Sequence, residues 1–169
     1  MKKILLQLLL VITLSSCGST KNNSEVQDWI KSQNFTIVKP NTWRPVKHHG
    51  YVGYTPLNKE SKYYNNLVSI FQFKLKEKSN FKEFSMKSAK EVRKYKKVSS
   101  EEILEEQNNL GNTLVHSYES IHNGMNYKHY TVYFENNEDF YFYTYSSLKE
   151  DYEKYFKEAM SILNSVGFK

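Results

Sequence analysis

The apolar positions of this chain change their period several times, and each change marks an element. Ile4 to Leu14 are apolar apart from Gln7 and Thr13, with Lys2 and Lys3 ahead and small residues behind. That stretch is shorter than the roughly 20 apolar residues a bilayer-spanning helix needs, and it has the layout of a secretory signal. Gly18 to Ser24 carry no apolar side chain and predict a flexible tether. Val26, Trp29 and Ile30 then share one face of a short helix capped by Ser24. Phe35 to Val38 read as a strand stopped by Pro40, Trp43 and Pro45 as a constrained segment, and Tyr51 to Tyr54 as a second short strand between Gly50 and Pro56. Lys59 to Asn66 predict an exposed loop. Leu67 to Leu75 alternate, with both faces apolar in the first half, so this strand is expected to be covered on both sides.

From Ser79, a predicted N-cap, the period becomes helical: Phe81, Phe84, Ser88, Val92 and Tyr95 recur on one face while Lys82, Lys87, Lys90 and Lys94 lie elsewhere. Glu101 to Asn108 suit a helix by their glutamates and a strand by their place before a turn at Asn109 to Asn112; the strand is taken here. Asn123 and Gly124, set between two alternating runs, are the strongest short-range hairpin signal. A two-residue turn there pairs His122 with Met125, Ser120 with Tyr127, and Tyr118 with His129. A second turn at Asn136 to Asp139 leads into Phe140 to Ser146 and completes a three-stranded meander. One face of it carries Leu114, His116, Tyr118, Tyr127, His129, Tyr133, Phe140 and Phe142. The other carries Val115, Ile121, Tyr130, Val132, Phe134, Tyr141, Tyr143 and Tyr145. Neither face is polar enough to stand in water, so both need cover. A final helix capped by Ser146 or Ser147, with Tyr152, Tyr155, Phe156, Ala159, Met160 and Leu163 as its buried stripe, supplies part of that cover.

Composition adds location more than chemistry. The net charge of +6 includes Lys2 and Lys3, and Lys96 and Lys97 sit among Glu101, Glu102, Glu105 and Glu106, so no basic face suited to nucleic acid is formed. The 14 Tyr and 10 Phe favour a substantial sheet. Cys17 is the one cysteine, so stability must come from packing and not from a disulfide.

Leu14, Ser15, Ser16 and Cys17 resemble the bacterial lipobox. The resemblance implies that residues 1–16 are a lipoprotein signal peptide, that Cys17 is acylated with palmitate-type chains, and that residues 17–24 tether a domain of residues 25–169 to a membrane. More than one acyl chain is what stable anchoring takes. Gly18, a non-acidic residue after the cysteine, points under the enteric sorting rule to the periplasmic face of the outer membrane over the inner membrane. Phe35, Ile37, Pro40 and Trp43, the helix around Phe84 to Tyr95, the aromatic strand Phe140 to Tyr145 and the ending Tyr155, Phe156, Leu163, Ser165 and Phe168 resemble the PsbP-like family. That resemblance implies an α+β fold, an α/β/α sandwich whose central antiparallel sheet is covered by helices. It also implies a non-enzymatic binding or assembly role; a protein partner in the cell envelope and no cofactor are expected with it.

The residues themselves offer little catalysis. There is no Gly-x-Ser-x-Gly elbow, the six glycines form no phosphate loop, and the glutamates at 101, 102, 105 and 106 read as a solvated run. His116, His122 and His129 share a predicted face, yet His116 and His122 are about 20 Å apart on a strand, too far for one ion, and no metal site is expected. Adjacent His48 and His49 would point apart. Tyr51, Tyr54, Tyr63 and Tyr64, in or beside predicted loops, could form an aromatic binding platform or pack beneath those loops. Three readings result, in order: a lipid-anchored, non-catalytic envelope protein that binds another envelope component, a carrier for a small ligand or metal, and an enzyme whose site the sequence does not reveal.

Overall fold

The computed structural model describes residues 19–48, 51–57, 65–73 and 80–169, which divide into two units, Met1–Gln33 and Asn34–Lys169. Cys17 and the lipobox lie outside the described residues. In the first unit helix α1 spans Ser19–Ser32 and closes with the Ser32 hydroxyl donating to the Trp29 carbonyl at 2.8 Å. It starts within the segment expected to be a tether, because Ser19 to Ser24 include no Pro or Gly to stop a helix.

The second unit holds β1 (Phe35–Thr36), β2 (Trp43–His48), β3 (Tyr51–Pro56), β4 (Asn66–Phe73), α2 (Phe81–Tyr95), β5 (Lys97–Asn108), β6 (Gly111–His122), β7 (Met125–Asn136), β8 (Asp139–Leu148), α3 (Tyr152–Asn164) and β9 (Gly167–Phe168). Seven strands form one antiparallel sheet in the order β2-β3-β4-β8-β7-β6-β5, and β1 pairs with β9 in a separate two-stranded ribbon. The expected hairpin register is present: His122 faces Met125, Ser120 faces Tyr127 and Tyr118 faces His129. Its turn needs positive φ at both central residues, which Asn123 (50°) and Gly124 (76°) supply.

The topology dictates how the faces are covered. β4 lies in the middle of the sheet and β5 at its edge, so α2 must carry the chain obliquely across β8, β7 and β6. Its Phe81 and Phe84 meet Phe140 at 5.6 and 5.0 Å between centroids, Phe84 meets Phe142 at 5.7 Å, and Ala89 packs with Leu114 and Tyr133. Helix α3 follows β8 on the opposite face. There the Tyr143 hydroxyl donates to the Ala159 carbonyl at 2.5 Å, that of Tyr145 to the Tyr152 carbonyl at 3.1 Å, and Trp43 packs edge-on to Tyr155 while its indole N–H donates to Glu158. The result is an α/β/α sandwich with an antiparallel sheet, as the sequence predicts.

Several boundaries differ from those predicted, each for a local reason. Trp43 and Pro45 belong to a strand, and Pro45 is tolerated because β2 is a sheet edge. Close packing of β3 on β4 needs Gly53, where a Cβ would sit 2.7 Å from Leu67 Cδ1 and 2.8 Å from the Val68 carbonyl oxygen. Asn80 caps α2, its side chain accepting from the Glu83 N–H at 3.2 Å; Ser79 lies outside the described residues. Ser146 and Ser147 do not cap α3: both stay in β8, paired with Leu67 and Asn66, and the helix opens at Tyr152. On α3 the buried stripe includes Ile162, whereas Phe156 and Met160 are half-buried.

Candidate functional site

Helix α2 is too short for the face it crosses. Its 15 residues extend about 22 Å, against about 40 Å for the 12-residue strands β6 and β7 beneath it. It ends at Tyr95, and Lys96 alone links it to β5. The end of the face toward the Asn123–Gly124 turn is left open as a basin of about 560 Å³, lined from β4 by Leu67 and Ser69, from β6 and β7 by Tyr118, Ser120, Tyr127 and His129, and from β8 by Thr144 and Ser146. Period-2 alternation brings these side chains to one face, and the antiparallel register sets them side by side.

His129 is the pivot of the floor. Its Nε2 lies 2.8 Å from Ser120 Oγ and its Nδ1 2.7 Å from Ser146 Oγ, while its ring stacks on Tyr118 at 4.4 Å. Burial, followed by the charges of Lys96 and His116, lowers its pKa from 6.5 to about 3. A neutral imidazole has one N–H and one lone pair, so one serine accepts from it and the other donates to it. Both hydroxyls are thereby fixed. Lys96 Nζ donates to Tyr118 Oη at 3.3 Å and lies 5.4 Å from the centre of that ring, where burial lowers its own pKa.

Beside the basin a second histidine is anchored differently. His116 Nε2 is 2.8 Å from Glu101 Oε1, and Arg93 Nε donates to Glu101 Oε2 at 2.7 Å, its Nη2 reaching the same oxygen. The carboxyl of Glu101 titrates below its ordinary range: desolvation opposes that shift, but the hydrogen bonds and charges of Arg93 and His116 outweigh it. Next to a carboxylate, His116 donates from Nε2, which leaves Nδ1 as a bare lone pair; Nδ1 has no partner among the described residues. A proton added there would find no acceptor. This accords with the lowered pKa of His116, in which desolvation exceeds the support of Glu101.

The predicted site residues fare unevenly. Tyr54 lies inside β3, opposite Val68, and only 5 % of it is exposed, which pushes its phenol up to about 12. It stands in the packed sheet and not beside a loop, so its ring is not offered to a surface partner. Tyr51 begins β3, and its side chain, with Tyr63 and Tyr64, lies outside the described residues. His116, Tyr118 and His129 do come together, but each imidazole is engaged with a side chain of its own. No group of three potential metal ligands occurs among the described residues. The basin itself was not predicted, although its polar floor was visible: Ser120, His122, Tyr127 and His129 interrupt a face that is otherwise Leu114, Tyr133, Phe140 and Phe142.

The antiparallel sheet between helices defines the class, an α+β sandwich, and solved structures of PsbP-like fold share it. Among solved structures the chain is similar to LpqN of Mycobacterium tuberculosis, described as involved in cell envelope biogenesis, with a TM-score of 0.60 and 11 % identity over 85 % of this chain and 96 % of that one. It is similar also to the cyanobacterial PsbP protein CyanoP of Synechocystis, with a TM-score of 0.54 and 11 % identity over 80 % of this chain and 87 % of that one. No family model and no curated protein matches the chain. At these identities the likeness is one of fold. No helix among the described residues is long and apolar enough to cross a membrane.

Proposed function

We propose that this protein is a lipid-anchored, non-catalytic component of the cell envelope that binds another envelope component through the open half of its sheet. The observation that carries the reading is the basin itself: a concave surface of ligand size, fixed on strands, with its hydroxyls held in place by His129. The lipobox at Leu14 to Cys17 supports the anchor, and an envelope-associated protein of the same fold supports the location. Residence at the outer membrane follows the same reading. The Ser120–His129 contact is half of a hydrolase arrangement, but the far nitrogen of the imidazole meets Ser146 and not a carboxylate. A ring whose pKa is near 3 is a poor base at neutral pH, so it would not hold the proton that a serine nucleophile must give up.

Photo-crosslinking in intact cells tests this. With a benzophenone side chain in place of His122, on the basin wall, covalent adducts are expected; with the same side chain in place of Val38, which is exposed and lies against Ser165 at the end of α3, they are not. Equal labelling from both positions, or none from His122, contradicts the reading. For the anchor, Cys17→Ala should release the chain from the membrane fraction or stall its processing.

A further inference from the structure

Four features of the basin concern what fills it. First, its charge has one sign. Lys96 and Lys97 stand at its edge, and no Asp or Glu occurs among its described lining residues. Glu101 and Glu119, which flank it in sequence, are paired with Arg93 and Lys149. The other end of the same face carries Glu105, Glu106 and Glu135 around a groove at the start of α2, where Lys82 pairs with Glu105. Second, beside the imidazoles of His122 and His129 its uncharged polar groups are hydroxyls: Ser69, Tyr118, Ser120, Tyr127, Thr144 and Ser146. Tyr127 brings an oxygen with no hydrogen-bond partner among the described residues. Third, Tyr95 stands at the rim with 83 % of its surface exposed, an aromatic ring left in water at the mouth of a cavity. Fourth, β5 has a bulge between Val98 and Ser100, opposite Ser120, where Lys97 enters the strand. Bulges of this kind re-aim side chains beside functional sites.

We infer that the basin binds an anionic saccharide, a pyranose carrying phosphate or carboxylate, its negative group at Lys96 and Lys97 and its ring hydroxyls against the serines of the floor. The inference rests on the basin being the recognition surface proposed above. Lysine meets a phosphate or carboxylate as a compact point charge, and Lys96 is already held in position by Tyr118. Of the two fixed hydroxyls beside His129, the one that accepts from the ring keeps its proton to give and the one that donates to it can still accept, a pair that suits a polyol. Tyr95 offers the flat amphipathic surface on which the apolar side of a sugar ring packs. A cavity of about 560 Å³ matches a ligand of one or two sugar units in size.

Calorimetry on the full chain in detergent micelles, with four probes, tests the inference. N-acetylglucosamine 1-phosphate or glucuronic acid should bind, and N-acetylglucosamine and inorganic phosphate should each bind at least about tenfold more weakly than the better of the two. Lys96→Gln and Tyr95→Ala should each weaken that binding by about tenfold, and raised salt should weaken it further. The inference is overturned if neutral N-acetylglucosamine binds as well as the charged sugars, if both variants bind as the parent does, or if neither charged sugar binds. Should His122 crosslink in cells while neither charged sugar binds, the ligand class alone is wrong. Failure of both experiments removes the recognition surface as well.

Discussion

One face of the sheet is built as two contrasting halves on the same strands. Beneath α2 the floor is Leu114, Tyr133, Phe140 and Phe142, closed by Phe81, Phe84 and Ala89. Past Tyr95 the same strands present Tyr118, Ser120, Tyr127, His129 and Ser146 at the floor of a basin, with Lys96 over the Tyr118 ring and no apolar helix face above them. The first half gains stability from apolar burial, about 1.5–3 kcal/mol per large side chain. The second uses its hydrogen bonds to hold polar groups in fixed positions, and those bonds contribute far less net stability. A sheet that needed only cover would have continued the apolar pattern under a longer helix. The interruption of that pattern therefore separates residues placed to hold the fold from residues placed to meet something else.

The two halves should respond differently to perturbation. The largest effect belongs to the closed half: Phe140→Ala removes a ring packed against both Phe81 and Phe84 and should cost about 3–5 kcal/mol in urea unfolding. A loss under about 1 kcal/mol would mean that α2 does not close that half.

Acid should act on the open half. The unfolded chain protonates His129 near 6.5 and the folded chain only near 3, so between these values the unfolded state holds more protons and stability falls as pH falls. From pH 7 to pH 5 this amounts to about 2 kcal/mol. His116, whose pKa is also lowered, adds to the loss in the same direction, and Glu101 adds to it at lower pH, where its unfolded carboxyl is protonated first. Urea midpoints across that range should drop, and His129→Gln should flatten the slope. A midpoint independent of pH would put His129 in water and break the contrast.

The smallest effect is expected at the rim. Tyr95→Ala should change stability by no more than about 0.5 kcal/mol because the ring is exposed. A larger loss in thermal or urea unfolding would make Tyr95 part of the packed half.

The layered fold was legible because long strands and amphipathic helices announce themselves by period. The Asn123–Gly124 turn fixed the register of β6 on β7, and with it the neighbours of His129. The edges of elements were less legible. Ser146 and Ser147 are good helix caps in isolation, but pairing with β4 keeps them in β8. Tyr54 looked accessible beside Gly50 and Pro56, and the β2–β3 hairpin buries it. The basin is not legible in the sequence because it arises from two lengths, α2 against β6 and β7, and from the crossing from β4 to β5 that decides where the helix ends. The partners of His129 were similarly hidden. Ser120 and Ser146 are ordinary surface residues in the sequence and become its two ligands only through the register of three strands.

Hydrogen exchange, read by mass spectrometry on the full chain with and without a detergent-solubilised envelope fraction, tests most directly whether the open half is a recognition surface. The account predicts slowed exchange confined to segments 95–98, 117–129 and 144–147, with α3 and the β2–β3 hairpin unchanged. Protection centred on α3 or on the β2–β3 hairpin, or no change anywhere, would contradict it.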